Sequence, residues 1–179
     1  MNRSVNAVRL LPGDHAPWFV APALSGSPTY AFHSVAGRYV MMLFFGPARL
    51  EACAAALKLA TERRSLFDDH GACFFGVTID RDDEASARIA QQLPGVRFFL
   101  DYAREVSTAY GAVAQSDDGD VRYSPFWLIL DRGLRVVERF PVEQGEKALD
   151  RLEALLAAPA ETGLAPVLIV PDVLEPELC

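Results

Sequence analysis

Residues 38–47 read Arg-Tyr-Val-Met-Met-Leu-Phe-Phe-Gly-Pro, and this stretch decides the architecture. A half-buried strand alternates polar and apolar side chains with a period of two, and the run from Arg38 to Phe45 does not alternate. A strand apolar on both sides belongs in the middle of a sheet that is covered on both faces. Gly46-Pro47 stops it. A helix is expected beyond, from Ala48 to Phe67. At about 100° per residue, Glu51, Lys58 and Glu62 share one face, and Leu50, Cys53, Ala56, Leu57, Ala60 and Phe67 share the other. Cys53 therefore points toward the sheet.

Working outward, Ala72 to Ile79 is a second strand apolar on both sides. Asp82-Asp83-Glu84 opens a helix, with acids matching the positive end of its dipole, and that helix ends near Pro94-Gly95. Val96 to Leu100 reads as a short strand and Ala103 to Tyr110 as a short helix closed by Gly111. Gln115 to Asp120 reads as a polar loop. Two further strands, Phe126 to Leu130 and Leu134 to Phe140, are joined by the hairpin signal Asp131-Arg132-Gly133. The last helix, Glu146 to Ala158, is amphipathic through Leu149, Leu152, Leu155 and Leu156. The first 35 residues are rich in Pro and Gly and read as extended segments and turns. Alternating strands and helices, then a hairpin and a helix, predict an α/β fold: a central mixed sheet flanked by helices. Residues 1–158 form one domain, and 159–179 a linker and tail.

The composition excludes several classes. The chain has 179 residues, 51% of them hydrophobic, which is ample for one packed core. No apolar run approaches the ~18–20 residues of a membrane span, and Met1-Asn2-Arg3-Ser4 starts no secretory signal. A net charge of −7 without a basic stripe argues against a nucleic-acid partner. Three widely spaced cysteines, Cys53, Cys73 and Cys179, make no disulfide framework, so a cytoplasmic chain with reduced thiols is expected. His15, His33 and His70 lie in no metal-binding pattern, and phosphate loops and nucleophile elbows are absent, so neither a metal nor a cofactor is expected. Trp18 and Trp127 are expected in the core or on its rim.

Several segments resemble, in order, the peroxiredoxin (AhpC/TSA) branch of the thioredoxin-like superfamily. Gly13-Asp14-His15-Ala16-Pro17-Trp18-Phe19 is similar to its opening G-D-x-A-P-x-F. Met42-Leu43-Phe44-Phe45-Gly46-Pro47 resembles its core strand and active-site proline. Phe75-Gly76-Val77-Thr78-Ile79-Asp80 resembles G-V-S-x-D. The segment from Tyr102 through Val106 to Tyr110-Gly111 resembles D-x-x-x-x-V-x-x-x-Y-G, with Asp101 leading in. Ser124-Pro125-Phe126-Trp127 resembles the late strand, with Pro125 in the place of the thioredoxin-type cis-proline. The resemblance spans roughly residues 10 to 156 and implies a thioredoxin-like fold with a peroxiredoxin-type N-terminal extension. It implies thiol-dependent peroxide reduction through Cys53, with Pro47 and Arg122 in the catalytic site. A small hydroperoxide, a thiol reductant and a homodimer follow as partners.

The local pattern departs from that family's P-x-x-x-T-x-x-C. From Pro47 to Cys53 the spacing is one residue short, and Leu50 stands where the threonine belongs. Arg122 lies three residues before the family's arginine position, which Pro125 fills; Arg49 is another positive neighbour on the turn. The chemistry needs a thiolate, which a helix N-terminus and an arginine favour. A helix starting near Pro47 would put Cys53 in the second turn, where the dipole's help has faded. Cys53 is thus either a reactive thiol or a packed core cysteine. Cys73, inside a buried strand, is expected to pack in the core, and Cys179 is a chain-end thiol.

Two other functions stand beside the peroxidase. One is a catalytically degenerate thioredoxin-like module for docking or regulation. The other, a thiol–disulfide oxidoreductase, lacks the C-x-x-C it needs, because three alanines follow Cys53. Ala165 to Cys179 resembles the opening strand of iron- and 2-oxoglutarate-dependent oxygenases of the prolyl-hydroxylase kind, which would make the docking partner a fused domain. A C-terminal strand of the same domain is the alternative.

Overall fold

A computed structural model describes residues 9–24, 28–68, 70–87, 89, 95–115 and 121–158. Its frame is a five-stranded sheet centred on the apolar run within residues 38–47. That run is β3 (Tyr39–Phe44); β1 (Val20–Ala21) and β2 (Tyr30–Ala31) form a small antiparallel pair before it. β3 pairs in parallel with β4 (Ala72–Thr78), which pairs in parallel with β5 (Val96–Leu100). On its other side β3 runs antiparallel to β8 (Phe126–Leu130), which pairs with β9 (Val136–Pro141). The order is β5-β4-β3-β8-β9, a mixed sheet. This is the thioredoxin-like arrangement.

The period of two divides β3 between two cores. Met41, Leu43 and Phe45 face one layer with Phe74, Phe98, Trp127 and Ile129. α1 (Glu51–Glu62) and α4 (Gly145–Ala157) cover that face through Cys53, Ala56, Ala60, Ala148, Leu149 and Leu152. Trp127 is fully buried and donates from Nε1 to the Val142 carbonyl at 3.0 Å, so its one polar atom is satisfied. Gly145 opens α4 against that ring; a Cβ there would lie 3.0 Å from Trp127.

Val40, Met42 and Phe44 face the other layer with Cys73, Phe75, Val77, Phe99 and Leu128. The helix on this face is α3 (Glu105–Ala109), and most of the cover comes from the Pro-rich N-terminal segment. Phe19 stacks on Phe32 and meets Phe99 and Tyr110 edge-on, and the Tyr110 hydroxyl donates to the Pro17 carbonyl at 2.8 Å. The same segment reaches both sheet edges. Gly13 and Ala16 donate to Val136 and Leu134 beside β9, and Leu24 N–H donates to Phe98 while Leu100 N–H donates to Pro22 beside β5. Backbone groups that would otherwise template association are thereby occupied.

Four expectations change. α1 begins at Glu51 rather than Ala48, for a reason given below. α2 (Arg81–Ala85) is five residues long, and the expected continuation toward Pro94 falls largely outside the described residues. Gln115 ends a strand, β6 (Val113–Gln115), which pairs with β7 (Val121–Tyr123); residues 116–120 lie outside the described residues. Trp18 is 72% exposed and packs only its ring on His33, because the alternating segment turns Phe19 inward instead. The tail 159–179, with Cys179 and the oxygenase-like stretch, also lies outside the described residues.

Candidate functional site

The chain leaves β3 at Gly46, whose φ of 62° belongs to the left-handed region that glycine tolerates. The Tyr123 ring closes over this glycine, and a Cβ there would lie 2.9 Å from Cδ1. Residues 47–50 then form a turn in which Leu50 N–H donates to the Pro47 carbonyl at 3.2 Å. Leu50, extended at φ −72° and ψ 135°, precedes the helix. Cys53 is therefore the third residue of α1, in its first turn, and not in the second turn as expected.

A buried carboxylate explains the late start. Ala48 to Ala52 are good helix formers, but Ala48 N–H donates to both oxygens of Asp83, at 2.9 and 3.1 Å. The Thr78 hydroxyl donates to the same carboxylate at 2.6 Å and in turn accepts from Asp80 N–H at 3.1 Å. Asp83 is fully buried. In the sequence it reads as helix-opening charge; Asp80 holds that role, accepting from Asp82 N–H at 3.0 Å. Three successive acids span most of a helical turn, so one of them had to face inward.

Cys53 thus has the helix-start address that favours a thiolate, yet it is 1% exposed. Burial, followed by the negative charges of Asp83 and Glu143, pushes its thiol up to about 11. At neutral pH the thiolate is on the order of one molecule in ten thousand. Glu143 stands on the rim of a groove of about 410 Å³ between α1 and the start of α4, with Glu51 and Glu146 beside it. The site is electronegative.

Among the described residues no arginine repairs this. Arg122 is exposed on β7 opposite Ala114, because strand alternation turns Tyr123 inward and Arg122 out. It does not take the place beside the thiol that the resemblance implied. Arg49 is 56% exposed with Nε 3.7 Å from Asp80. Pro47 lies where expected, at the turn before α1. Pro125 occupies its expected place before β8, but its peptide bond is trans. Cys73 sits on the opposite face of the sheet, with Arg38 Nη1 3.8 Å from its sulfur and its thiol donating to the Asp68 carbonyl at 3.6 Å. The sheet separates it from Cys53. Among the described residues no three His, Cys, Asp or Glu side chains gather to hold a metal.

Two residues with no sequence signal border the site. Ser107, in α3, is fully buried, and its N–H donates to Asp101 at 2.7 Å. Tyr123 places its hydroxyl beside Ser107 and the Gly46 backbone; burial pushes it well above its ordinary range, with Asp101 and Cys53 adding to the shift. A strand of three residues carries too little periodicity to reveal which side chain turns inward.

Comparison with known proteins follows the same lines. No curated protein sequence matches the chain. The chain is similar in structure to a thiol peroxidase from Chromobacterium violaceum, with 19% identity, a TM-score of 0.63, and 86% of this chain and 90% of that one covered. The thioredoxin domain of a thiol-disulfide oxidoreductase from Bacteroides vulgatus shows 20% identity and a TM-score of 0.63 over 82% of this chain and 99% of its own. AhpC of Mycobacterium tuberculosis shows 21% identity and a TM-score of 0.60 over 84% and 95%. At such identities the likeness shows a shared fold. The family model described as Redoxin matches residues 11–156, from the N-terminal segment through α4, and the chain therefore belongs to the Redoxin family.

Proposed function

We propose that this chain is a redoxin module whose peroxidatic chemistry is silent in the resting protein, and that the fold serves docking or regulation. Family membership supports a redox role. One observation carries the narrower reading: Cys53, at the address of a reactive thiol, is sealed and protonated, with two carboxylates and, among the described residues, no cation acting on it. Nucleophilic attack on a peroxide requires the thiolate. The similarity of Ala165 to Cys179 to the start of an iron- and 2-oxoglutarate-dependent oxygenase supports an attached domain of that kind as the docking partner. Free, separated Cys53 and Cys73 suit a reducing, cytoplasmic setting. No helix among the described residues is long and apolar enough to cross a membrane.

Hydroperoxide consumption by the wild type and by Cys53→Ser, with dithiothreitol as reductant, tests the proposal. Equal, near-zero rates are expected. Rapid turnover that disappears in Cys53→Ser would overturn it.

The position of Cys53 in the first turn of α1 favours a second reading, thiol peroxidase activity after the turn at 47–50 opens. The Cys53 thiolate would then attack the O–O bond, releasing water or an alcohol and leaving a sulfenic acid for a thiol to reduce, with a dimer as the family-implied assembly. In the test above, this reading requires a Cys53-dependent rate.

A further inference from the structure

The seam between α1 and α4 is filled at one end and open at the other. At the filled end Arg63, which closes α1, lays its guanidinium along α4. Nη1 donates to Asp150 at 3.1 Å and to Glu146 at 3.4 Å, and Nη2 donates to Glu153 at 2.8 Å. Those three acids stand at helical spacing, so one side of α4 presents carboxylates toward α1. At the open end lies the groove of about 410 Å³. Its floor is apolar, made by Ala55, Ala56, Leu59 and Val142, and the alanines leave the space that longer side chains would fill. Glu51, Glu143 and Glu146 form the rim. Glu146 is shared with Arg63, whereas Glu51 and Glu143 make no ion pair with any described residue.

An apolar floor beneath carboxylates suits a side chain that is apolar along its stem and cationic at its tip. Arginine adds a planar fork of donors that matches carboxylate geometry. Arg63 shows that α1 and α4 hold a guanidinium between them in this way. The open end repeats that chemistry. Residues 159–179 do not complement it, because they carry Glu161, Asp172, Glu175 and Glu177 and no Lys or Arg. We propose that the α1–α4 groove docks a segment of a partner protein that inserts an arginine flanked by apolar residues. This rests on the docking reading above and gives it a surface and a partner chemistry. Glu143 is one of the two carboxylates acting on Cys53, so an arginine seated beside it offsets part of that charge.

Titration of the full chain with the peptide acetyl-Ala-Leu-Arg-Leu-Ala-amide, followed through backbone amide chemical shifts, tests the proposal. Saturable shifts are expected at Ala55, Leu59 and Gly145, and a peptide with glutamate in place of the arginine should produce none. Glu51 and Glu143 are exposed, so the double variant Glu51→Gln, Glu143→Gln should keep its Tm while its affinity for the peptide falls roughly fivefold. Glu62→Gln, whose carboxylate pairs with Lys58 outside the groove, should bind as the wild type does. An absence of saturable shifts at those amides, equal binding of the glutamate peptide, or an unchanged affinity in the double variant would overturn the proposal. Concentration-dependent shifts of the same amides in the protein alone would assign the groove to a second copy and overturn it as well. The peroxide assay stays separate: a groove that takes no peptide leaves Cys53 silent, and a Cys53-dependent rate leaves the titration readable.

Discussion

Cys53 and Cys73 are both buried thiols, one on each face of the same sheet, and each has the electrostatics that the other's address suggests. Cys53 stands in the first turn of a helix, where N–H dipoles stabilise a thiolate, but its charged neighbours are Asp83 and Glu143. Cys73 stands inside a strand, the usual place of an inert core thiol, and has the Arg38 guanidinium 3.8 Å from its sulfur. Position in a fold offers a thiol a chemistry. Burial first, and then the charges around it, decide whether the offer is taken up.

The largest effect is expected at Asp83. Asp83→Ala strips the partners from Ala48 N–H and the Thr78 hydroxyl inside the core. A loss of about 3 kcal/mol is expected in urea denaturation, the scale of a broken buried polar network. A loss near zero would mean that the carboxylate does not hold the turn before α1.

Titration gives the next largest effect. The Cys53 thiol is shifted from 9.0 in the ordinary group to about 11 in the folded protein, so the unfolded chain loses its proton first as pH rises. Its contribution to stability is complete below about pH 9 and is lost between pH 9 and 11, by roughly 2 kcal/mol. Denaturation curves for the wild type and Cys53→Ala across that window should converge as pH rises. Parallel curves would contradict the shift.

Asp83→Asn sharpens the contrast more gently. It keeps an acceptor for Ala48 N–H while removing the charge. Burial is the first cause of the Cys53 shift and Asp83 the second, so the thiol is expected to fall by only the smaller part of its shift, and the gain in thiolate at a given pH is on the order of a few-fold. Alkylation rates at Cys53 before and after the substitution measure it. The smallest effect belongs to Arg122→Ala. The side chain is exposed on β7, and stability and Cys53 alkylation should both stay within experimental error, a change of under about 0.5 kcal/mol. A clear drop in alkylation would return Arg122 to the thiol.

Much of the frame is legible in the sequence, because long apolar runs leave few options. The stretch from Tyr39 to Phe44 is central on both counts: its pairing and its burial on both faces. The inward direction of Cys53 follows from helical period, and Asp131 closes the hairpin turn as its type suggests, accepting from Gly133 N–H at 2.8 Å. Long-range polar contacts are harder to see. The start of α1 is set by Asp83, 35 positions from Ala48, against the local helix propensity. Tyr123 turns inward from a strand of three residues, too short to show a period. The N-terminal segment reads as turns, and only its bonds to both sheet edges show that it completes the fold.

Cys53 rests as a protonated thiol, and its alkylation rate as a function of pH, followed peptide by peptide in the native protein, reads that state. The rate is expected to stay low through neutral pH and to rise only toward pH 11. An inflection near neutral pH would contradict it and restore Cys53 as a working nucleophile.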